Sequence, residues 1–177
     1  MAYDKGVYDL MYAFYTICMK KLNVTLLIVG SGPLKEKIKR FFKERGCLDK
    51  VVFLGAIPYE QMKKYYNLAD IFCLPSRFTK YWQEQFGFVF AEAMSCAKPI
   101  VSTRIGAIPE VVADAGLLVS PGNFLELESA LETLILDENL RKLLGERGRR
   151  RAIKLFSINS AAIGRDKVYR KVLRDLK

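Results

Sequence analysis

Short apolar runs alternate with amphipathic stretches along almost the whole chain. Residues 24–29 form a continuous run rich in branched side chains, as expected for a parallel strand buried on both faces. Residues 7–21 place apolar side chains three and four positions apart, which predicts a helix. Strands are predicted at Val24–Val29, Val51–Leu54, Ile71–Leu74, Pro99–Ser102 and Gly116–Val119. Helices are predicted at Val7–Lys21, Pro33–Arg45, Pro58–Leu68, Phe88–Ala97, Ile108–Ala113, Phe124–Leu136, Glu138–Lys154 and Ser160–Leu176.

This alternation of strands and helices predicts an α/β fold with a Rossmann-like parallel sheet and helices on both of its faces. In such sheets ligands bind beyond the carboxyl ends of the strands. Four loops follow predicted strands and should meet at that edge: residues 30–33, 55–58, 75–87 and 103–110. A binding site is therefore expected where these loops converge.

Composition narrows the chemistry that is open to this site. The chain has 177 residues, 51% of them hydrophobic, which suits one globular domain. Histidine is absent, and the four cysteines form no Cys-x-x-Cys pair, so no metal site is expected. The sequence shows neither an apolar run that could span a membrane nor a secretory signal, which predicts a cytoplasmic location.

The net charge of +10 is concentrated near the end of the chain. Residues 137–177 contain 13 Lys or Arg and 5 Asp or Glu. Solvated helix faces are the favoured explanation. Attraction to an anionic membrane surface, on the inner face of the membrane, is the alternative. Nucleic acid is not expected as a partner, because the basic residues are not interleaved with aromatic ones.

Residues 75–112 carry the most unusual polar side chain of the sequence. Glu92 lies within the apolar run 88–94, on a predicted buried helix, although carboxylates are rarely buried unless they are paired or used. Glu84 precedes it by eight positions, just before a Phe-Gly-Phe turn at 86–88. A glycine at a helix start lets a ligand approach the backbone, where free N–H groups attract phosphate. The segment thus offers a phosphate cradle and two carboxylates that can accept hydrogen bonds from hydroxyl groups.

This segment resembles the signature of the group 1 (family 4) retaining glycosyltransferases, whose GT-B fold has two facing Rossmann-like domains. Glu84 and Glu92 match the family's two glutamates, which are separated by seven residues, within Glu-x-Phe-Gly and Glu-Ala-Met. Residues 106–112 resemble a second family element, with Ala107 in place of a glycine. The resemblance covers nearly the whole chain, and it implies that residues 1–177 are the C-terminal, nucleotide-sugar-binding half.

The resemblance also implies roles for individual residues. Glu84 is expected to be catalytic and to contact sugar hydroxyls near the reacting carbon. Glu92 is expected to accept hydrogen bonds from both ribose hydroxyls, and Lys5 to bind the diphosphate. The turn around Gly87 would supply backbone N–H groups to the diphosphate, and Ile57 and Pro58 would line the base. The donor-binding residues expected in addition to Glu92 and Lys5 are Phe86, Gly87, Phe88, Val89, Gly30, Gly32, Ile57 and Pro58.

The family's reaction follows from the same resemblance. The complete enzyme would move a sugar from a nucleoside diphosphate to a hydroxyl acceptor, with retained configuration, in glycan, lipid or polysaccharide biosynthesis. No cofactor or metal ion is expected, because positive groups and amides stabilise the departing diphosphate, whose oxygen takes the acceptor's proton. The expected partners are the nucleotide-sugar donor and an acceptor-binding domain that these 177 residues lack.

The start of the chain departs from the family pattern. In the family, a strand and a Gly-Arg loop precede the Lys-Gly pair that Lys5 and Gly6 resemble, whereas only residues 1–4 precede it here. Because that strand is central, the sheet is expected to have a vacant position, which lowers stability or is filled by self-association. Residues 157–177 are expected to form the family's crossover helix without its partner domain.

Two interpretations stay open for the chain itself. It is the donor-binding part of a glycosyltransferase, or it is a stand-alone nucleotide-binding module without turnover. A glycoside hydrolase with two carboxylates is disfavoured, because no acid with a raised pKa is evident. Arg77, Lys80 and Trp82 lie in a loop longer than the family's commonest form, where they either contact donor or acceptor or lie at the surface.

Overall fold

Two parallel sheets form the centre of the computed structural model, which describes residues 1–80 and 83–175. The first sheet pairs β1 (Leu26–Val29) with β2 (Val51–Gly55). The second has the strand order β3 (Phe72–Leu74), β4 (Ile100–Thr103) and β5 (Gly116–Val119), again parallel. The predicted α/β fold is confirmed. Among the described residues no strand pairing joins β1 to β3, so the two sheets are separate.

Eight α-helices and a π-helical turn precede, connect and follow these strands in the described part of the chain. The helices are α1 (Val7–Met19), α2 (Lys35–Glu44), α3 (Tyr59–Leu68), α4 (Phe88–Ser95), α5 (Ile108–Val112), α6 (Phe124–Leu136), α7 (Glu138–Arg151) and α8 (Ile158–Asp175). The prediction of one helix from Glu138 to Lys154 is wrong at its end, because α7 stops at Arg151 and residues 152–156 form the π turn. Short 3-10 turns lie at Tyr3–Lys5 and Leu48–Lys50.

Helix α1 packs against both sheets. Its Met11 and Phe14 belong to the apolar cluster of the first sheet, around Ile28. Its Ala13 and Ile17 belong to the cluster of the second sheet, which includes Val101. Each large side chain buried in this way contributes roughly 1.5–3 kcal/mol. The two sheets are therefore joined through a shared helix rather than through strand pairing.

Strand β4 is the most buried strand, with all four of its residues inaccessible to solvent. Two of them are polar, and both are satisfied by hydrogen bonds to the neighbouring chain segment. The Ser102 hydroxyl donates to the Leu74 carbonyl (2.6 Å), and the Thr103 hydroxyl donates to the Ser76 carbonyl (2.5 Å). These bonds fix the point at which the loop after β3 leaves the sheet.

Helix α8 contributes no buried residue among those described. Its apolar side chains, including Val168, Tyr169 and Leu173, are exposed on the surface. Leu176, which the sequence placed on the same helix, lies outside the described residues. No helix in the described chain combines the length and apolar character that crossing a membrane requires.

Candidate functional site

Several of the predicted site residues lie in loops at the carboxyl ends of the strands. Gly30 and Gly32 follow β1, and Ile57 and Pro58 follow β2. The Gly30 N–H donates to the Gly55 carbonyl at 2.6 Å, so the ends of the first two strands are directly joined. This edge also receives the first residues of the chain, because the amino group of Met1 donates to the Ser31 carbonyl.

The N-terminal turn, Tyr3–Lys5, lies against the loop after β3. The Arg77 N–H donates to the Asp4 carbonyl at 2.7 Å. The Arg77 guanidinium donates to the buried Asp9 carboxylate, with an Nε–Oδ2 distance of 2.6 Å, and to the Tyr3 hydroxyl at 2.9 Å. Arg77 is therefore not a free surface residue. It anchors the loop to α1 through Asp9. Trp82 of the same loop lies outside the described residues.

Lys5 and Glu84 meet in this arrangement. The Lys5 ammonium lies 3.3 Å from Glu84 Oε2, although 79 positions separate them in sequence. The Glu84 side chain is 12% exposed and that of Lys5 is 40% exposed, so the pair is reachable from solvent mainly on the lysine side. The structure thus brings together the carboxylate predicted to be catalytic and the ammonium predicted to bind the diphosphate.

Gly106 and Ala107, which follow β4, contact the backbone of Glu84. The Ala107 N–H donates to the Glu84 carbonyl at 3.0 Å. Gly106 has a φ of 50°, and a Cβ there would overlap the Glu84 carbonyl oxygen and lie 3.1 Å from its carbonyl carbon. Only glycine fits such a close approach of two backbones. The sequence indicated residues 106–112 as a family element, but it did not show that this element shapes the Glu84 loop.

Gly87 is the N-cap of α4 and has a left-handed conformation, with a φ of 72°. A Cβ at this position would lie 2.5 Å from the Phe90 ring and 3.3 Å from Glu84 Cγ. The N–H groups of the first helical residues, Phe88 and Val89, have no acceptor within the helix by α-helical geometry. They add to the positive end of the helix dipole. The helix start can therefore hold an anion close to Glu84.

Phe86 is held in place by a residue that the sequence did not identify. Its ring lies 5.2 Å from the Phe156 ring, nearly perpendicular to it, and 5.0 Å from the Phe88 ring. Phe156 ends the π turn that follows α7. Arg151, just before that turn, donates to the carbonyls of Val111 (2.9 Å) and Glu110 (2.5 Å) at the end of α5. The π turn thus supports the Phe-Gly-Phe segment.

Glu92 lies on α4 one turn beyond this segment and is half-buried. The Tyr66 hydroxyl of α3 donates to Glu92 Oε2 at 2.7 Å. Burial raises the pKa of Tyr66 well above its ordinary value, and the hydrogen bond and charge of Glu92 raise it further. Ile57 and Pro58 stand at the start of the same helix α3. No group of three Asp, Glu or Cys side chains suited to a metal ion occurs within residues 1–80 and 83–175.

Residues 1–151 match the sequence pattern of the family described as glycosyl transferases group 1. This chain belongs to that family. It is 33% identical over 173 residues to the N-acetyl-alpha-D-glucosaminyl L-malate synthase of Bacillus anthracis. The aligned region covers 97% of this chain and 43% of the synthase. Members of the family that it resembles thus include an enzyme of about twice its length.

Solved structures agree with this assignment. The sucrose-phosphate synthase of Thermosynechococcus elongatus superposes with a TM-score of 0.82 at 29% identity, over 98% of this chain and 44% of the synthase. Anabaena Alr3699/HepE, solved in complex with UDP and glucose, superposes with a TM-score of 0.79 at 23% identity, over 96% of this chain and 46% of that one. The fold of this group 1 glycosyl transferase chain is therefore the Rossmann-like fold of a GT-B half.

Proposed function

We propose that this chain is the donor-binding part of a retaining glycosyltransferase that uses a nucleoside diphosphate sugar. The observation that carries the proposal is the 3.3 Å contact between Lys5 and Glu84, beside the helix start at Gly87. A cation, a carboxylate and free N–H groups at one point suit a ligand that carries both phosphates and sugar hydroxyls. The group 1 family and the complex of Anabaena HepE with UDP and glucose support this choice of ligand.

In the proposed complex the diphosphate lies between Lys5 and the N–H groups of Phe88 and Val89. Glu92 accepts hydrogen bonds from the ribose, the base lies near Ile57 and Pro58, and Glu84 contacts the sugar. During transfer the bond from the anomeric carbon to the phosphate oxygen breaks, and the acceptor oxygen bonds to the same face of the sugar. The acceptor's proton goes to the leaving phosphate oxygen. The positive groups stabilise the charge that develops on the diphosphate.

Titration calorimetry with UDP and GDP tests the donor site directly. We expect the 177-residue chain to bind one of them, and Glu92→Gln to weaken binding by more than twofold, because the amide offers one acceptor oxygen where the carboxylate offers two. Glu146→Gln, at an exposed position of α7, is the matched control and should leave the affinity unchanged. An affinity of Glu92→Gln within twofold of the unaltered chain would refute the ribose assignment.

For the 177 residues alone we expect binding without turnover. The chain spans 43% of the Bacillus anthracis synthase, and α8 presents an unburied apolar surface. Catalysis requires donor and acceptor in near-attack geometry, which is worth up to about 7–11 kcal/mol of the barrier. We propose that the acceptor is held by a domain corresponding to the rest of such relatives. Sugar transfer by the 177 residues to any hydroxyl acceptor would overturn this view.

A further inference from the structure

Glu92 has a hydrogen-bond partner on a neighbouring helix. The Tyr66 hydroxyl of α3 donates to Glu92 Oε2 at 2.7 Å, across 26 positions of sequence. Tyr66 itself is 5% exposed, whereas Glu92 is half-buried. The contact therefore lies at the boundary between the core and the candidate site.

The Tyr66 ring is fixed by aromatic packing. It lies 5.7 Å from the Phe72 ring of β3, which in turn lies 6.0 Å from the Phe90 ring of α4. Tyr66 and Phe90 belong to the same buried cluster. A buried tyrosine hydroxyl requires a partner, and its position is set by a ring with few rotamers. The hydroxyl is thus a rigid donor, and burial raises the pKa of Tyr66 above its ordinary value.

This donor restricts how the Glu92 carboxylate can lie. A glutamate side chain has several rotatable bonds, and a half-exposed one would sample many orientations. The bond to Oε2 restrains one oxygen, which narrows the range of orientations that the carboxylate can adopt. A carboxylate has about four lone-pair sites, and one hydrogen bond leaves most of them free. They can accept two hydroxyl groups that lie side by side, which is the arrangement of the 2′ and 3′ hydroxyls of ribose.

We propose that Tyr66 is a positioning residue that, by orienting the Glu92 carboxylate, makes the site prefer ribonucleoside diphosphates over their deoxyribose counterparts. The inference rests on the proposed function, since it takes Glu92 as the ribose contact. It adds to that function a residue on α3 and a measurable selectivity. Tyr66 acts through Glu92 and does not itself touch the nucleotide.

The test compares the affinities of the 177-residue chain for UDP and GDP with those for their 2′-deoxy and 3′-deoxy forms. Tyr66→Phe keeps the ring and removes only the hydroxyl. Tyr65→Phe removes a hydroxyl from the adjacent position of α3 and is the matched control. We expect Tyr66→Phe to weaken ribonucleotide binding about fivefold to tenfold, less than the full effect of losing a hydrogen bond to a charged group, because the lost bond orients Glu92 and does not itself contact the nucleotide. Binding of each deoxy form should weaken less, because it retains only one of the two hydroxyls that Glu92 accepts, so the ratio of the two affinities falls.

The ratio protects the test against a loss of folding, because a partly unfolded variant loses both affinities by the same factor. In a Glu92→Gln background, Tyr66→Phe should have no further effect on the ratio. An equal loss for ribo and deoxy forms, or no loss for either, would overturn the positioning role and leave the donor site intact. If the unaltered chain binds neither UDP nor GDP, the proposed function itself fails, and the inference fails with it.

Discussion

The Arg77 guanidinium holds the buried Asp9 carboxylate through two hydrogen bonds, with an Nε–Oδ2 distance of 2.6 Å. Asp9 lies on α1, whereas Arg77 lies in the loop after β3, so the bond joins two segments that are 68 positions apart. The same loop carries Glu84, and the turn before α1 carries Lys5. The ion pair therefore holds the loop that carries Glu84 in place relative to the turn that carries Lys5.

Replacement of Arg77 by Gln should lower the free energy of unfolding by about 3 kcal/mol, because it leaves the Asp9 carboxylate buried without a charged partner. Urea denaturation measures the loss. Lys142→Gln, which breaks an exposed pair with Glu138, is the control and should cost far less. If Arg77→Gln costs no more than this control, the ion pair does not anchor the loop.

Gly106→Ala should lower the free energy of unfolding by more than the cost of a positive φ alone explains. The new Cβ would overlap the Glu84 carbonyl oxygen, in addition to the cost of a positive φ. Gly46→Ala is the matched control, since Gly46 has a φ of 67° and nothing within 4 Å of an added Cβ. We expect about 1 kcal/mol for the control and a clearly larger loss for Gly106→Ala, with weaker nucleotide binding in that variant only. If both variants lost the same free energy of unfolding and Gly106→Ala still bound nucleotide normally, the Glu84 loop would have moved to accommodate the added Cβ.

Stability should fall at high pH through Cys73 of β3. Burial raises the pKa of this thiol to about 12, against 9.0 for a free thiol, so the folded state holds the proton more tightly than the unfolded state. This difference in pKa contributes to the free energy of unfolding. The contribution is present in full well below pH 9 and is lost as pH rises toward 12. Between pH 8 and pH 10 the unaltered chain should lose about 1 kcal/mol more than Cys73→Ala. If the free energies of unfolding of the two proteins fell in parallel as pH rises, the loss of stability would not come from Cys73.

Removal of α8 should leave the core nearly unchanged. None of the described residues of this helix is buried, although its basic side chains belong to the most positive region of the chain. Deletion from residue 158 onward should therefore change the free energy of unfolding by less than about 1 kcal/mol, as measured by urea denaturation. A larger loss would show that α8 packs on the domain in solution.

The deletion variant also tests attraction to an anionic membrane surface, the alternative to solvated helix faces as the explanation of this charge, and that alternative predicts the following result. Co-sedimentation with vesicles of phosphatidylglycerol should retain more of the full chain than of the deletion variant, and phosphatidylcholine vesicles should retain neither. The difference should decrease as salt is added, because surface charges are screened. Equal retention of both proteins on anionic vesicles would place the attraction elsewhere in the chain.

Element positions could be predicted closely wherever local periodicity determines them. The strand at Gly116–Val119 and the helix at Phe124–Leu136 match the prediction at both ends, because their apolar spacing is regular and their borders carry turn residues. The end of α7 was predicted wrongly. Arg151 donates to two carbonyls of α5, and Phe156 packs on Phe86, and these distant contacts accompany the π turn.

The sequence by itself determined the alternation of strands and helices, the family, and the two glutamates with their glycine turn, because these depend on residue type at short, fixed spacing. Only the tertiary structure decided which distant groups meet. Lys5 lies beside Glu84, Gly106 supports the loop that carries it, and Tyr66 holds Glu92. Such contacts depend on how helices and loops pack over a sheet, and that geometry is not encoded in the spacing of residues along the chain.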